Sequence, residues 1–259
     1  MIRFSLSFTT SLLAALVTVA GVRVAQAAGV PANITAAVAD KARPEEDKQR
    51  DANRKPDETL AFADVRAGQP IGELSPGGGY FSRILSKAVG PKGHVFAIVS
   101  PRSPTAPADQ PDRNAPIRAL AADPNYSNIS VEERVAGKVS LPTSVELIFT
   151  ALNYHDLHNV PNLDMAVFNK SVFDALKPGG LYVIVDHSAQ TGSGSRDTST
   201  LHRIDVDTVR QEVTAAGFKL VASSNILNNT ADDRTATVFD PTVRGKTDQF
   251  ILKFRKPKK

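Results

Sequence analysis

The chain has 259 residues, with 31 Lys and Arg against 27 Asp and Glu, a formal net charge of +4 and 41% hydrophobic residues. That length and apolar content exclude a disordered chain and allow a substantial core. The absence of cysteine excludes disulfides, thiolate zinc and iron–sulfur sites, a cysteine nucleophile and a lipidated cysteine.

Residues 1–27 read as a secretory signal peptide. Arg3 supplies the positive start, an apolar stretch follows, and Ala25-Gln26-Ala27 fits the small-x-small cleavage rule. The apolar stretch is short for a membrane span and Arg23 closes it. The expectation is a cleaved leader and a periplasmic or secreted protein without stable membrane insertion. Residues 28–62 form an N-terminal helical lead-in. Pro44-Glu45-Glu46-Asp47 and Pro56-Asp57-Glu58 each place proline and acids where a helix begins, so two short helices are expected.

From Pro70 strands and helices alternate, and residues 63–259 are expected to form one domain. Strands are expected at residues 71–74, 94–99, 129–131, 145–150, 181–185, 218–222 and 250–254. Helices are expected at 80–88, 117–122, 163–176 and 206–216, with Lys177-Pro178-Gly179-Gly180 as the turn after the third of these. The alternation predicts an α/β fold. It is a doubly wound, mostly parallel seven-stranded sheet of the Rossmann-like kind, with an antiparallel terminal hairpin. In such sheets ligands sit at the carboxyl ends of the strands.

Glu73-Leu74-Ser75-Pro76-Gly77-Gly78-Gly79-Tyr80 lies where the first strand hands over to a helix. Glycines there let backbone approach a ligand, and the helix start adds donors. No Gly-Lys-Ser/Thr follows, which excludes a phosphate-binding P-loop. The spacing also departs from G-x-G-x-x-G, which argues against NAD.

The strand-end acid, the Gly77-x-Gly79 loop, the Lys-Pro-Gly-Gly turn and the terminal hairpin resemble class I S-adenosylmethionine-dependent methyltransferases. Arg54-Lys55-Pro56, Asn153-Tyr154-His155-Asp156 and Gly245-Lys246-Thr247-Asp248-Gln249-Phe250 are similar to segments of a group of exported bacterial methyltransferase-like proteins. The resemblance implies S-adenosylmethionine as cofactor and a small-molecule substrate. It places Glu73, Ser75, Gly77, Gly79, Tyr80, Ser100 and Asn153 at the cofactor. Two positions depart from the family pattern. Ser75 stands for the first glycine of the loop, and Ser100 stands where an acid meets the ribose hydroxyls. Lys138 falls near the adenine segment.

Four of the five histidines follow the fourth and fifth strands: His155, His158, His187 and His202. With Asp156 and Asp186 they should converge on the carboxyl edge. Three readings stand open. A general base would be His155 first and His187 second, with Asp156 and Tyr154 beside them as catalytic or positioning groups. A metal such as zinc or manganese would use His155, His158, Asp186 and His187. A buried hydrogen-bond network would serve structure alone. A rival function is a non-catalytic or metal-binding periplasmic protein on the same fold.

Thr191-Gly192-Ser193-Gly194-Ser195 reads as a mobile loop over the site, since Gly-x-Ser-x-Gly is absent. Asp232 and Asp233, in a polar insert between the last two strands, read as solvated. Nucleic acid is not an expected partner, because aromatic residues are 6% and no basic stripe crosses the folded part. Five of the last seven residues are basic, so the excess positive charge is assigned to a solvated tail.

Overall fold

The computed structural model describes residues 29–103, 105–107, 109–134 and 137–258. The leader assigned to residues 1–27 lies outside the described residues. Four helices come first: α1 (Ala32–Val38), α2 (Glu45–Lys48), α3 (Asp51–Arg54) and α4 (Pro56–Phe62). Both expected starts are present, with Pro44 capping α2 and Pro56 opening α4. The other two helices carry weaker start signals. Ile34 and Leu60 are fully buried, so this lead-in is part of the core.

The remaining elements are β1 (Pro70–Leu74), α5 (Tyr80–Val89), β2 (His94–Val99), α6 (Ala115–Ala122), β3 (Ile129–Glu133), β4 (Val145–Ala151), α7 (Tyr154–Leu157), α8 (Met165–Ala175), β5 (Leu176–His187), α9 (Val206–Ala215), β6 (Lys219–Ser224) and β7 (Gln249–Arg255). They build a seven-stranded sheet in the order β3-β2-β1-β4-β5-β7-β6. The pairs from β3 through β5 are parallel, and β7 runs antiparallel to both β5 and β6.

Alternation divides the core in two. Val95, Ala97 and Val99 face α1, α4, α5 and α6, as do Leu181, Val183 and Val185. Phe96, Ile98, Tyr182 and Ile184 face α8 and α9. The strand order reverses between β1 and β4, and that crevice is where a doubly wound sheet takes a ligand.

Two local expectations are corrected. The sequence 177–180 does not simply close α8. It is drawn into β5, where the pairing shifts from Val145↔Leu176 to Leu147↔Leu181. The basic end is also not a solvated tail throughout. Lys253 lies buried in β7, 2.9 Å from Asp64, and the Lys256 Nζ donates to the carbonyls of Phe173 and Leu176 at the end of α8. No described helix is long and apolar enough to cross a membrane.

Candidate functional site

At the β1–β4 crevice a cavity of about 290 Å³ is lined by Glu73, the loop 75–78, Tyr80, Ala151–Asn153 and, from above, Asp47, Arg50 and Arg54. The backbone on both sides of this cavity is costly. Ser75 holds φ 50° and Leu152 holds φ 61°, both in the left-handed region that side chains disfavour. Gly79 has φ 84°, and a Cβ there would stand 2.6 Å from Leu120, so only glycine lets α5 begin against α6. Asn153 ties the two strand ends together. Its Nδ2 donates to the carbonyl of Leu74 at 3.2 Å, and it shares a hydrogen bond with the Thr150 hydroxyl.

The N-terminal helices are fastened over this cavity by charge. The Tyr80 hydroxyl donates to Asp51 at 2.6 Å, and Arg43 grips both oxygens of Asp51 at 2.6 and 2.8 Å. Arg83 pairs with Asp47 at 3.2 Å and donates to the Gly78 carbonyl at 2.8 Å. Arg54 stacks over the rings of Tyr80 and Phe81, 4.6 and 5.8 Å from their centroids. Among the described residues it has no carboxylate or carbonyl partner. Burial lowers its pKa to about 10.

Glu73 is 3% exposed and accepts from the Ser82 hydroxyl at 2.5 Å. Burial pushes its pKa up to about 7, against the opposing pull of Ser82 and Arg54. One buried acid and one guanidinium without a carboxylate therefore share a cavity. That pairing matches the two ends of an amino-acid zwitterion.

At the end of β2 the hydroxyl of Ser100 accepts from Arg134, and its carbonyl accepts from Asn114 at 2.8 Å. A buried arginine thus occupies the neighbourhood where the resemblance calls for an acid. Lys138 is exposed and has no carboxylate beside it among the described contacts.

After β4 and β5, His155 is 2% exposed. Its Nδ1 lies 2.8 Å from Asp186, whose other oxygen accepts from the His155 backbone N–H at 2.7 Å. Its Nε2 lies 3.3 Å from Asp156. Burial alone would lower the His155 pKa. The coulombic pull of Asp186, with the bonds to Asp156 and Asp186, outweighs it and pushes the pKa up to about 10. His187 is the reverse case. Burial lowers its pKa to about 4, and its Nδ1 lies 2.7 Å from the Thr247 hydroxyl. The two carboxylates favour the protonated form of His155, and burial favours the neutral form of His187.

His202 joins this group, its Nδ1 3.3 Å from Asp156. His158 and Tyr154 do not. His158 lies 3.2 Å from Glu212, and the fully buried Tyr154 donates to Glu212 at 2.7 Å and accepts from Asn169 at 2.8 Å. The sequence spacing puts Tyr154 on the side of the first helical turn that faces α8 and α9. Ser193 is 9% exposed, so it is packed rather than displayed on a loose loop. Asp232 is corrected as well. It is fully desolvated and takes Arg203 at 2.8 and 3.1 Å, whereas Asp233 is exposed as expected. Sequence reasoning assigned no role to Arg54, Arg134 or Arg203. For Arg54 the signal was available in the Arg-Lys-Pro segment, and for the other two none was.

No protein-family model matches the sequence, and no curated relative does. Solved structures do match in fold. A SAM-dependent methyltransferase from Aquifex aeolicus is 19% identical with a TM-score of 0.58, over 83% of this chain and 100% of that one. An S-adenosylmethionine-dependent methyltransferase from Mesorhizobium loti is 18% identical with a TM-score of 0.54, over 80% and 99%. The glycopeptide N-methyltransferase MtfA, in complex with S-adenosylmethionine, is 14% identical with a TM-score of 0.52, over 77% and 86%. What the chain shares with these proteins is the class I methyltransferase fold.

Proposed function

We propose that this chain transfers a methyl group from S-adenosylmethionine to a small molecule, and that it does so outside the cytoplasm after loss of residues 1–27. The observation that carries the reading is the cavity at the β1–β4 crevice, where Glu73 and Arg54 complement an amino-acid end. Glu73 accepts from the ammonium, Arg54 donates to the carboxylate, and the backbone of the glycine loop bounds the chain between them. The fold neighbours are consistent with that ligand, and the leader pattern of residues 1–27 supports export.

The chemistry is in-line displacement. A lone pair of the acceptor forms the bond to the methyl carbon while the carbon–sulfur bond breaks, leaving a neutral thioether. The acceptor's proton passes to a base on the acceptor side. Asp156, half-exposed beside His202, is the carboxylate that meets solvent there. Isothermal calorimetry of the full chain with S-adenosylmethionine and S-adenosylhomocysteine tests the reading. One-to-one binding that Glu73→Gln weakens is the expected result. No heat at millimolar ligand removes it.

A second reading has its own support. Arg134 engages the hydroxyl of Ser100 where a ribose-binding acid is usual, which favours a binding protein on a repurposed fold. Tight binding of S-adenosylhomocysteine without consumption of S-adenosylmethionine, across a panel of thiol, amine and hydroxyl acceptors, selects it.

A further inference from the structure

We propose that His155, Asp156 and His202 hold a divalent transition-metal cation of the zinc class, with Asp186 as the group that aims His155 at it. The site differs from the one spacing alone assembles. His158 is engaged near Glu212, and His187 directs its Nδ1 to Thr247. Asp186 spends both oxygens on His155 and on the His187 backbone N–H.

The distances fit the ion. One Asp156 oxygen lies 3.3 Å from His155 Nε2 and 3.3 Å from His202 Nδ1. One donor atom from each of the three residues falls within 4.8 Å of the others. With metal–ligand bonds of about 2.0–2.1 Å, two ligands at the tetrahedral angle stand about 3.3 Å apart. Two imidazoles and one carboxylate also form a donor set of borderline softness, suited to zinc, cobalt, iron or manganese.

The supporting shell is in place. Asp186 is fully buried and fixes both the ring and the backbone of His155, leaving Nε2 as the outward nitrogen. This is the carboxylate–histidine arrangement that orients imidazole toward metals. His202 is held from the other side. Its neighbour Arg203 is fully buried, clamped to Asp232 and to the carbonyls of Ser188 and Ala236, and the His202 ring packs on Phe239 at 4.7 Å. Asp156 and His202 remain 51% and 30% exposed, so a fourth position opens to solvent. A hydroxyl, thiol or carboxylate on an incoming molecule would complete the coordination. The site does not need the methyl-transfer reading, but the two share Asp156, whose carboxylate a bound cation takes as a ligand in place of its role as base.

The test uses the full chain purified without a histidine tag, stripped with a chelator and titrated with zinc chloride by calorimetry. Cobalt chloride is titrated in parallel and followed by visible absorption. The expected result is one equivalent of zinc and the absorption bands of a four-coordinate cobalt site. Asp156→Asn and His202→Ala, at part-exposed positions that leave the core intact, should each weaken zinc at least tenfold. Asp186→Asn should weaken it 10- to 100-fold. His158→Ala should leave it unchanged. No stoichiometric uptake, or uptake that Asp156→Asn and His202→Ala leave unaltered, overturns the proposal. S-adenosylmethionine calorimetry on the same stripped protein reports the other reading separately.

Discussion

Two buried ionisable groups at the carboxyl edge of the sheet have opposite surroundings. Glu73, at the end of β1, has one hydroxyl in contact and an arginine acting from farther off, so burial dominates and its pKa rises to about 7. His155, just past β4, would be neutralised by burial, yet two carboxylates overrule it and its pKa rises to about 10. The first group still lacks a positive partner, and the second is already compensated by the protein. A ligand that brings an ammonium is therefore favoured at Glu73. A ligand at His155 must displace or replace a proton.

The two regions are also held together differently. At the Glu73 end the strand, glycine loop and helix are one continuous piece of chain, with the N-terminal helices and Asn153 fastened over it. The His155 end is drawn from the segments after β4 and β5 and from the insert between β6 and β7. The buried Arg203–Asp232 pair joins the last two, alongside backbone bonds such as Ser188–Asp248 and Val238–Leu201. Asp232→Ala should therefore give the largest effect of any change considered, a loss of about 3–5 kcal/mol of stability from an uncompensated buried arginine. Urea denaturation measures it. A loss under 1 kcal/mol would mean that the distant segments do not need the pair.

That contrast explains what was legible beforehand. The seven strands follow from apolar alternation and turn residues, and β2 falls on the expected residues because Val95–Val99 alternate between two dry faces. The glycine loop was legible for the same reason, being contiguous. The approach of His155, Asp156 and Asp186 was foreseeable from the topology, since strands β4 and β5 are neighbours. The exclusion of His158 and Tyr154 was not, because it depends on how the single turn α7 rotates against α8 and α9. Arg203–Asp232 was not legible either, as the partners stand 29 positions apart in sequence with α9 and β6 between them.

Next in size is Glu73→Gln. Losing a charged acceptor costs about 1.5–3 kcal/mol, or roughly 10- to 100-fold in S-adenosylmethionine affinity by calorimetry. Stability at pH 8 should not fall, because an ionised buried carboxylate has been replaced by a neutral group of similar shape. A loss of stability with unchanged affinity would turn the comparison around and make Glu73 a structural acid.

A smaller effect is the pH dependence. The folded Glu73 pKa, about 7, lies above its ordinary value of 4.5. The folded state therefore binds the extra proton between these two values. Its contribution to stability is complete below pH 4.5 and is lost as pH rises through about 7. Ammonium binding runs the other way, since it needs the carboxylate. Affinity measured at pH 6 should be about tenfold weaker than at pH 8, and Glu73→Gln should flatten that part of the profile.

The smallest change sharpens the same point. The Ser82 hydroxyl is the one contact that stabilises the Glu73 charge from within α5, at 2.5 Å. Ser82→Ala removes it and leaves burial less opposed, so the midpoint of the affinity profile should move upward. A hydrogen bond of about 0.5–1.5 kcal/mol corresponds to roughly 0.4–1 pH unit. Affinity at pH 9, where the carboxylate is ionised in both proteins, should be nearly the same. A midpoint that stays at its original pH would place the titration on another group, and Glu73 would then lose its role as the ammonium acceptor.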